Sequence, residues 1–386
     1  MTVLVYRWMA STEQTFIKYL KILGYRVVEF DKKMDDYHAD SAFALECMQR
    51  MESEKIDAVF SFDYFPLLSM ICQIRQVPYI SWIYDCPMLT LQSKTITNDV
   101  NYIFCFDRLY TERLTLRGAK NCYHMPLAGD PELLGQCTKN PQKQYACDIS
   151  FLGNLYNDQK NRYRVAKWSE YEKGFLDGIV NAQLLIYGYN FVKQALPSEM
   201  IDTIIEKSEI VLGEMYDFEP AQMAADVLNK EVSAREREQV LNCVSEFFDV
   251  DFYTGSELPE GLRGREKIHM KGYADYQTQM PHIFHQSKIN LNMTSRTIES
   301  GIPLRILDIL SCGGFCLTNY QPEVAEFFED GVDLVMYADM QDLLGKISYY
   351  LEHEEERTEI AQNGYRKLSE FFSYTETIHK MWELVF

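Results

Sequence analysis

Ser287-Lys-Ile-Asn290-Leu-Asn292-Met-Thr294-Ser-Arg296, continued by Glu299-Ser-Gly301-Ile-Pro303-Leu-Arg305-Ile-Leu-Asp308 and closed by Ser311-Cys312-Gly313-Gly314-Phe315, reads as a strand, a polar loop and a helix. The apolar run ends near Met293 and the loop follows. Gly301 lets backbone approach a ligand, Pro303 opens a helix at its first position, and Gly313 closes it. A helix N-terminus at the C-terminal edge of a parallel strand is an anion site, because unpaired N–H groups and the helix dipole point at it. Asp308 falls inside this helix, one turn after Arg305. The same spacing fits a surface ion pair at i,i+3, worth a few tenths of a kcal/mol. Ile306, Leu307, Ile309 and Leu310 argue against a helix that is exposed all round.

The unit recurs outward in both directions. Val3–Tyr6, Tyr25–Phe30, Asp57–Phe62, Pro78–Tyr84, Asn101–Phe106 and Cys122–Leu127 are short apolar strands with helical stretches between them. Their continuous apolar character suits a parallel sheet covered on both faces. Ser11 and Gln14 have the spacing of a capping box, and Gly24 ends the helix they begin. Residues 129–147, with Gly129, Asp130-Pro131, Gly135 and Asn140-Pro141, have the composition of a linker. A fresh strand, Cys147–Leu152, runs into Gly153-Asn154. Residues 160–247 are mainly helical, with a second capping box at Ser233–Glu236. Leu184–Tyr189 fits a strand or a helix, and helix is the expectation. Strands resume at Asp251–Thr254, Ile268–Tyr273, Ile289–Met293, Gly314–Thr318 and Asp333–Met336, and two helices close the chain.

The fold class is therefore α/β, two doubly wound Rossmann-like domains with a helical insertion in the second. The expected division is 1–145, 146–370 with the insertion at 160–247, and a terminal helix 371–386.

The 386 residues suffice for two domains of ordinary size, and 47% hydrophobic with 25% charged residues is a globular balance. The net charge of −19 is spread along the chain and carries no basic stripe. Nucleic-acid binding needs such a stripe to displace counterions, so that class is excluded. The ten cysteines form no CxxC pair and several sit in apolar runs, which suits free thiols in a reducing compartment. The opening Val3-Leu-Val-Tyr6 meets Arg7 at once and lacks the apolar core of a signal peptide. No uncharged apolar run approaches the roughly 18–20 residues of a membrane span. The expectation is a soluble cytoplasmic protein.

Several stretches carry a resemblance. In the second half they are Ser287–Asn292, Gly301–Arg305, Gly313-Gly314-Phe315-Cys-Leu-Thr-Asn319-Tyr320, Pro322–Gly331, Leu351–Arg357 and Ile360–Tyr365. In the first half they are Ser61–Pro66, Ser81–Pro87, Phe104–Arg108 and Met125–Ala128. Together they resemble GT-B glycosyltransferases, in the branch that includes CgeB-like proteins, over nearly the whole chain. The resemblance implies two domains about a cleft, with a terminal helix crossing to the first domain. It also implies transfer of a sugar from a nucleoside-diphosphate donor, a UDP-sugar favoured, with no metal or other cofactor. Bacterial surface or protein glycosylation is the implied setting, with an acceptor protein or glycan unidentified.

The family's acidic pair, eight positions apart, would place Asp308 on the donor ribose. The other position holds Ser300, with Glu299 one residue earlier, so the chain departs from the pattern there. A family-like Gly-Arg…Lys pair for the diphosphate reads Gly153-Asn154, with Lys160 and Arg162 beyond; Arg296, Arg305 and Lys160 are the possible replacements. Gly272-Tyr273-Ala274 would hold the base. The expected donor residues are thus Gly153, Asn154, Lys160, Tyr273, Ala274, Asn292, Arg296, Gly301, Pro303, Arg305 and Asp308.

On the acceptor side, Asp85 ends an apolar strand and precedes Pro87, a position suited to a general base. Asp63 and His124 are its rivals. An Asp before a turn is equally an Asx-type cap, and a histidine in an apolar strand is commonly a satisfied core group. Asp249-Val250-Asp251 has the DxD form of a metal site but lies at a helix-to-strand turn. There is no GxGxxG, P-loop, HExxH or GxSxG. Two alternatives share the fold: a nucleotide-sugar epimerase, and a non-catalytic nucleotide-sugar-binding or scaffold protein.

Overall fold

The computed structural model describes residues 1–8, 10–132, 134–135, 145–210 and 213–386. Asn140-Pro141, part of the expected linker, lies outside the described residues. The chain divides into two compact units. One comprises Met1–Ala128, Leu212–Phe218 and Phe372–Phe386; the other comprises Gly129–Val211 and Glu219–Phe371. Among the described residues no helix is long and apolar enough to cross a membrane.

The first unit is built on β1 (Thr2–Tyr6), β2 (Arg26–Phe30), β3 (Ala58–Phe62), β4 (Tyr79–Ile83), β5 (Asn101–Cys105) and β6 (Asn121–His124). Their order is β2-β1-β3-β4-β5-β6, all parallel. β3 and β4 are buried along their whole length, as strands covered by helices on both faces must be. Phe16 from the helix Glu13–Ile22 stacks on Phe60 of β3 at 3.8 Å. The terminal helix Tyr374–Val385 packs on the same layer, with Trp382 at 6.3 Å from Phe16 and Tyr374 at 5.9 Å from Trp82. Residues 213–218 also belong to this unit: Tyr216 bridges to Ser93, and Lys94 N donates to Met215 O.

The second unit holds β7 (Cys147–Leu152), β8 (Val250–Tyr253), β9 (Ile268–Gly272), β10 (Ser287–Asn292), β11 (Cys316–Asn319) and β12 (Val335–Tyr337). Their order is β12-β11-β10-β7-β8-β9, again all parallel. The order reverses between β7 and β10, and such a switch point opens a crevice at the carboxyl ends of the strands. The 28-residue helix Pro220–Phe247 is buried on most of its circumference. Its C-terminal half packs Val240, Leu241 and Val244 against the sheet, and its N-terminal half packs Leu228 and Val232 against the helices around Leu176, Val180 and Ile204.

Local signals were less reliable than the strand pattern. The first helix starts at Glu13 after Thr12, with no side-chain cap, so the Ser11–Gln14 box does not form. Glu13 turns back instead and its Oε1 accepts from Trp8 N at 2.8 Å and Ala10 N at 3.0 Å. Ser233 and Glu236 lie in the middle of the long helix, where Ser233 Oγ donates to Asn229 O. The helix Glu170–Leu184 stops at Leu184, and residues 185–189 are neither helix nor strand. Pro303 is the residue before the helix Leu304–Ser311 rather than its first, and Gly313 closes that helix with φ of 61°.

Candidate functional site

In the second unit, a cavity of about 410 Å³ opens at the carboxyl ends of β7, β8 and β9. Gly153, Asn154, Tyr253, Thr254, Tyr273, Ala274, Tyr276 and Arg305 are among its lining residues. Five residues expected from the sequence meet here: Gly153, Asn154, Tyr273, Ala274 and Arg305. Tyr273 lines the cavity and is 78% exposed. Arg305 lies in the first turn of the helix Leu304–Ser311 and adds a full charge to the positive end of its dipole.

Asp308 sits behind this lining, one helical turn from Arg305 and 2% exposed. The Tyr276 hydroxyl donates to its Oδ1 at 2.8 Å, and Arg305 Nη1 stands 3.6 Å from Oδ2. Burial pushes the Asp308 carboxyl up to about 6, against the pull of Arg305 and the Tyr276 hydrogen bond. The exposed-ion-pair reading of Arg305 and Asp308 is therefore wrong for Asp308. Tyr276 carried no signal in the sequence beyond its place three residues after Tyr273.

The remaining expected donor residues do not line the cavity. Arg296 is buried and bidentate to Glu236, at 2.7 and 3.1 Å; its Nη1 donates to Ile186 O at 2.9 Å, and Tyr187 lies 4.2 Å from the guanidinium. Asn292 donates to Thr294 Oγ1 at 3.1 Å and Thr318 Oγ1 at 2.9 Å, tying β10 to β11. Gly301 and Pro303 are buried in the segment that leads into the helix. Lys160 is exposed in a turn, where its N–H donates to Asp158 Oδ1. Ser300 Oγ donates to the buried Glu323 Oε1 at 2.6 Å.

One arginine escaped the sequence reading. Arg237, on the long helix, donates through Nη1 to Asn154 O and through Nη2 to Met293 O at 2.6 Å. It joins the chain ends that leave β7 and β10, and Tyr156 lies 4.4 Å from its guanidinium. A Cβ on Gly153 would stand 2.8 Å from the Phe151 ring and 3.4 Å from Arg237 Nη1, so only glycine fits without displacement.

In the first unit, the carboxyl ends of β3 and β4 bring two carboxylates together. Asp63 is 1% exposed and holds a φ of 59°, a left-handed conformation that costs a non-glycine residue. Its Oδ1 accepts from Tyr84 N at 2.9 Å and Asp85 N at 3.1 Å, so Asp63 fixes the turn that carries Asp85. Its Oδ2 has no partner among the described residues. Burial, and then the Asp85 charge, push the Asp63 carboxyl up to about 7. Partial desolvation also raises that of Asp85, although this residue is exposed. His124 ends β6, with β5 between it and β4, so it stands about 10 Å away by strand spacing alone.

Asp249-Val250-Asp251 lies at the start of β8, the edge opposite the cavity. His269 Nε2 is 2.8 Å from Asp249 and Lys271 Nζ is 3.1 Å from Asp251.

Residues 234–383 match the family described as glycosyl transferase-like. No curated protein matches the sequence significantly. The fold is similar to that of a glycosyltransferase from Rickettsia africae, at TM-score 0.59 and 11% identity, covering 100% of this chain and 97% of that one. It is also similar to Anabaena Alr3699/HepE in complex with UDP and glucose, at 0.57 and 9%, covering 99% and 98%. The sucrose-phosphate synthase of Thermosynechococcus elongatus follows at 0.51 and 10%, covering 99% and 97%. At these identities the structural likeness shows the fold, two parallel α/β domains of the GT-B class.

Proposed function

We infer, from a glycosyl transferase-like region that supplies Arg305 and Tyr276 to one cavity and sets Asp308 behind its lining, that the protein moves a sugar from a nucleoside-diphosphate sugar to an acceptor. The observation that carries this reading is the cavity itself. It sits at the carboxyl edge of a parallel sheet, with an arginine at a helix N-terminus and a buried carboxylate one turn behind. The solved relative with UDP and glucose supports a UDP-sugar as donor.

In this reading the exposed Tyr273 ring and the Ala274 backbone take the base. Asp308 takes the ribose hydroxyls once Tyr276 releases it. Arg305 and the amides at the start of its helix take the negative charge that grows on the leaving diphosphate. Fixed dipoles aimed at developing charge are commonly the largest catalytic contribution, and they cost no reorganisation during the reaction. Asp85 acts on the acceptor hydroxyl as base. Its raised affinity for protons suits that role, because a base is most effective when its pKa approaches the working pH. No metal is required in this scheme. The free thiols among the described cysteines support a cytoplasmic site of action.

Thermal shift against UDP, GDP and their sugars tests the reading, since a ligand at 100 times its Kd adds about 2.7 kcal/mol of stability. Stabilisation by a nucleotide sugar, with turnover only when an acceptor is added, is the expected result. Conversion of the sugar without any acceptor supports an epimerase, and binding without turnover across a broad acceptor panel supports a non-catalytic binder.

A further inference from the structure

We propose that Arg237 is a diphosphate-binding residue of the donor site, set at the switch point of the second sheet. The proposal rests on the donor reading above, and its test separates the two.

The position is the first argument. The strand order reverses between β7 and β10, and the chain leaves these strands at Asn154 and Met293. Arg237 grips both exits, through Asn154 O and Met293 O. Crevices at such reversals are where ligands of open parallel sheets bind.

Charge is the second. A guanidinium stays protonated in proteins, and Arg237 is only 8% exposed. Among the described residues its two acceptors are the neutral carbonyls of Asn154 and Met293, its Nε has no acceptor, and no carboxylate pairs with it. The preceding residue on the helix shows the contrast: Glu236 pairs with the buried Arg296 through both carboxylate oxygens. A buried cation left with neutral partners is costly, and an anion brought to it recovers that cost. A second polar atom without a partner among the described residues lies on the same edge, the hydroxyl of Tyr337 at the end of β12, in a side chain 1% exposed.

Access is the third. Gly153 lines the cavity and Arg237 Nη1 lies directly behind it, where a side chain would otherwise stand. The Tyr156 ring holds the guanidinium plane in place from another side. A planar fork so fixed suits phosphate oxygens, which it can meet with several donors at once.

Calorimetric titration of UDP and of uridine against wild type, Arg237→Gln and Arg237→Lys tests this. If the wild type prefers another base, GDP with guanosine or ADP with adenosine replaces the pair. Arg237→Gln is expected to weaken diphosphate binding by about 10-fold or more while nucleoside binding stays within about 2-fold. Arg237→Lys, which keeps charge but not the fork, falls between the two. Equal losses for nucleotide and nucleoside reduce Arg237 to a clamp on the strand exits and overturn the proposal, as does an unchanged UDP affinity. Should the glutamine variant fail to fold by circular dichroism, the lysine variant is read by the same ratio, and an unchanged ratio overturns the proposal. A wild type that binds none of the three diphosphates defeats the donor reading itself.

Discussion

Tyr276 and Asp308 share a hydrogen bond of 2.8 Å that closes the back of the cavity, the phenol donating to Oδ1. A ribose diol that uses this carboxylate must displace the phenol or share the oxygen with it. A hydrogen bond to a charged group is worth about 1.5–3 kcal/mol, so Asp308→Ala is expected to weaken uridine binding by roughly 10- to 150-fold. Tyr276→Phe removes the competing donor and should leave affinity unchanged or improved. With the carboxyl at about 6, wild-type affinity for uridine should fall between pH 8 and pH 5, while Asp308→Asn shows no such fall. Uridine avoids the titration of the nucleotide's own phosphates. Equal affinities of wild type and Asp308→Ala in calorimetry reject the ribose role.

Asp63 gives a stability signature independent of any ligand. Its folded value of about 7 lies above the unfolded value of about 3.9, so the fold binds that proton more tightly. The contribution is fully present below pH ~4 and is lost as pH rises through about 7. Asp63→Asn keeps a carbonyl for the Tyr84 and Asp85 amides but cannot ionise. The variant should therefore gain on wild type in urea unfolding between pH 5 and pH 8. A difference that stays constant over that range would show Asp63 to be ionised throughout.

Asp85→Asn should keep the donor affinity and lose transfer by about 10²- to 10⁴-fold, since it removes an interaction made only in the transition state. Calorimetry with UDP and turnover with an acceptor provide the two readouts. Near-normal turnover of the variant passes the role to Asp63 or to no residue at all.

Chelation is expected to leave donor binding and turnover unchanged. Replacing Asp249 and Asp251 together by asparagine should do the same, because both lie at the far edge of β8 from the cavity and already face basic side chains. Activity lost to EDTA and recovered only with manganese would overturn the metal-free scheme.

Glu236→Gln should destabilise the second unit by about 3–5 kcal/mol, because it leaves the buried Arg296 charge uncompensated. Urea denaturation measures this directly. A loss below about 1 kcal/mol would show that the neighbouring Tyr187 ring and the Ile186 carbonyl suffice for the guanidinium.

The strands were legible because burial on both faces writes itself into short unbroken apolar runs such as Ala58–Phe62 and Tyr79–Ile83. Helix starts were less so. Ser233 and Glu236 have the spacing of a capping box, yet 28 residues of helix run through them, and the tertiary contacts of the buried face decide. The cavity was read through its local signals, a glycine after a strand and an arginine in a first turn. Arg296 misled because an isolated arginine in a loop gives no hint of a carboxylate 60 residues upstream. Arg237 was missed for the same reason in reverse: its partner Asn154 lies 83 residues away in the chain. Contacts between distant segments leave no periodic trace in either one.

The stacking of Phe16 and the terminal helix into one layer has a temporal side. A ribosome emits the chain in one direction, at about 5–20 residues per second, so Trp382 follows Phe16 by roughly 20–70 s. Throughout that interval the nascent first sheet shows an apolar face whose cover has yet to be made. The second unit, being mostly one later stretch, can close before the first is complete. A truncation that removes Phe372–Phe386 would hold the protein permanently at that stage, with the first unit as the part chaperones recognise.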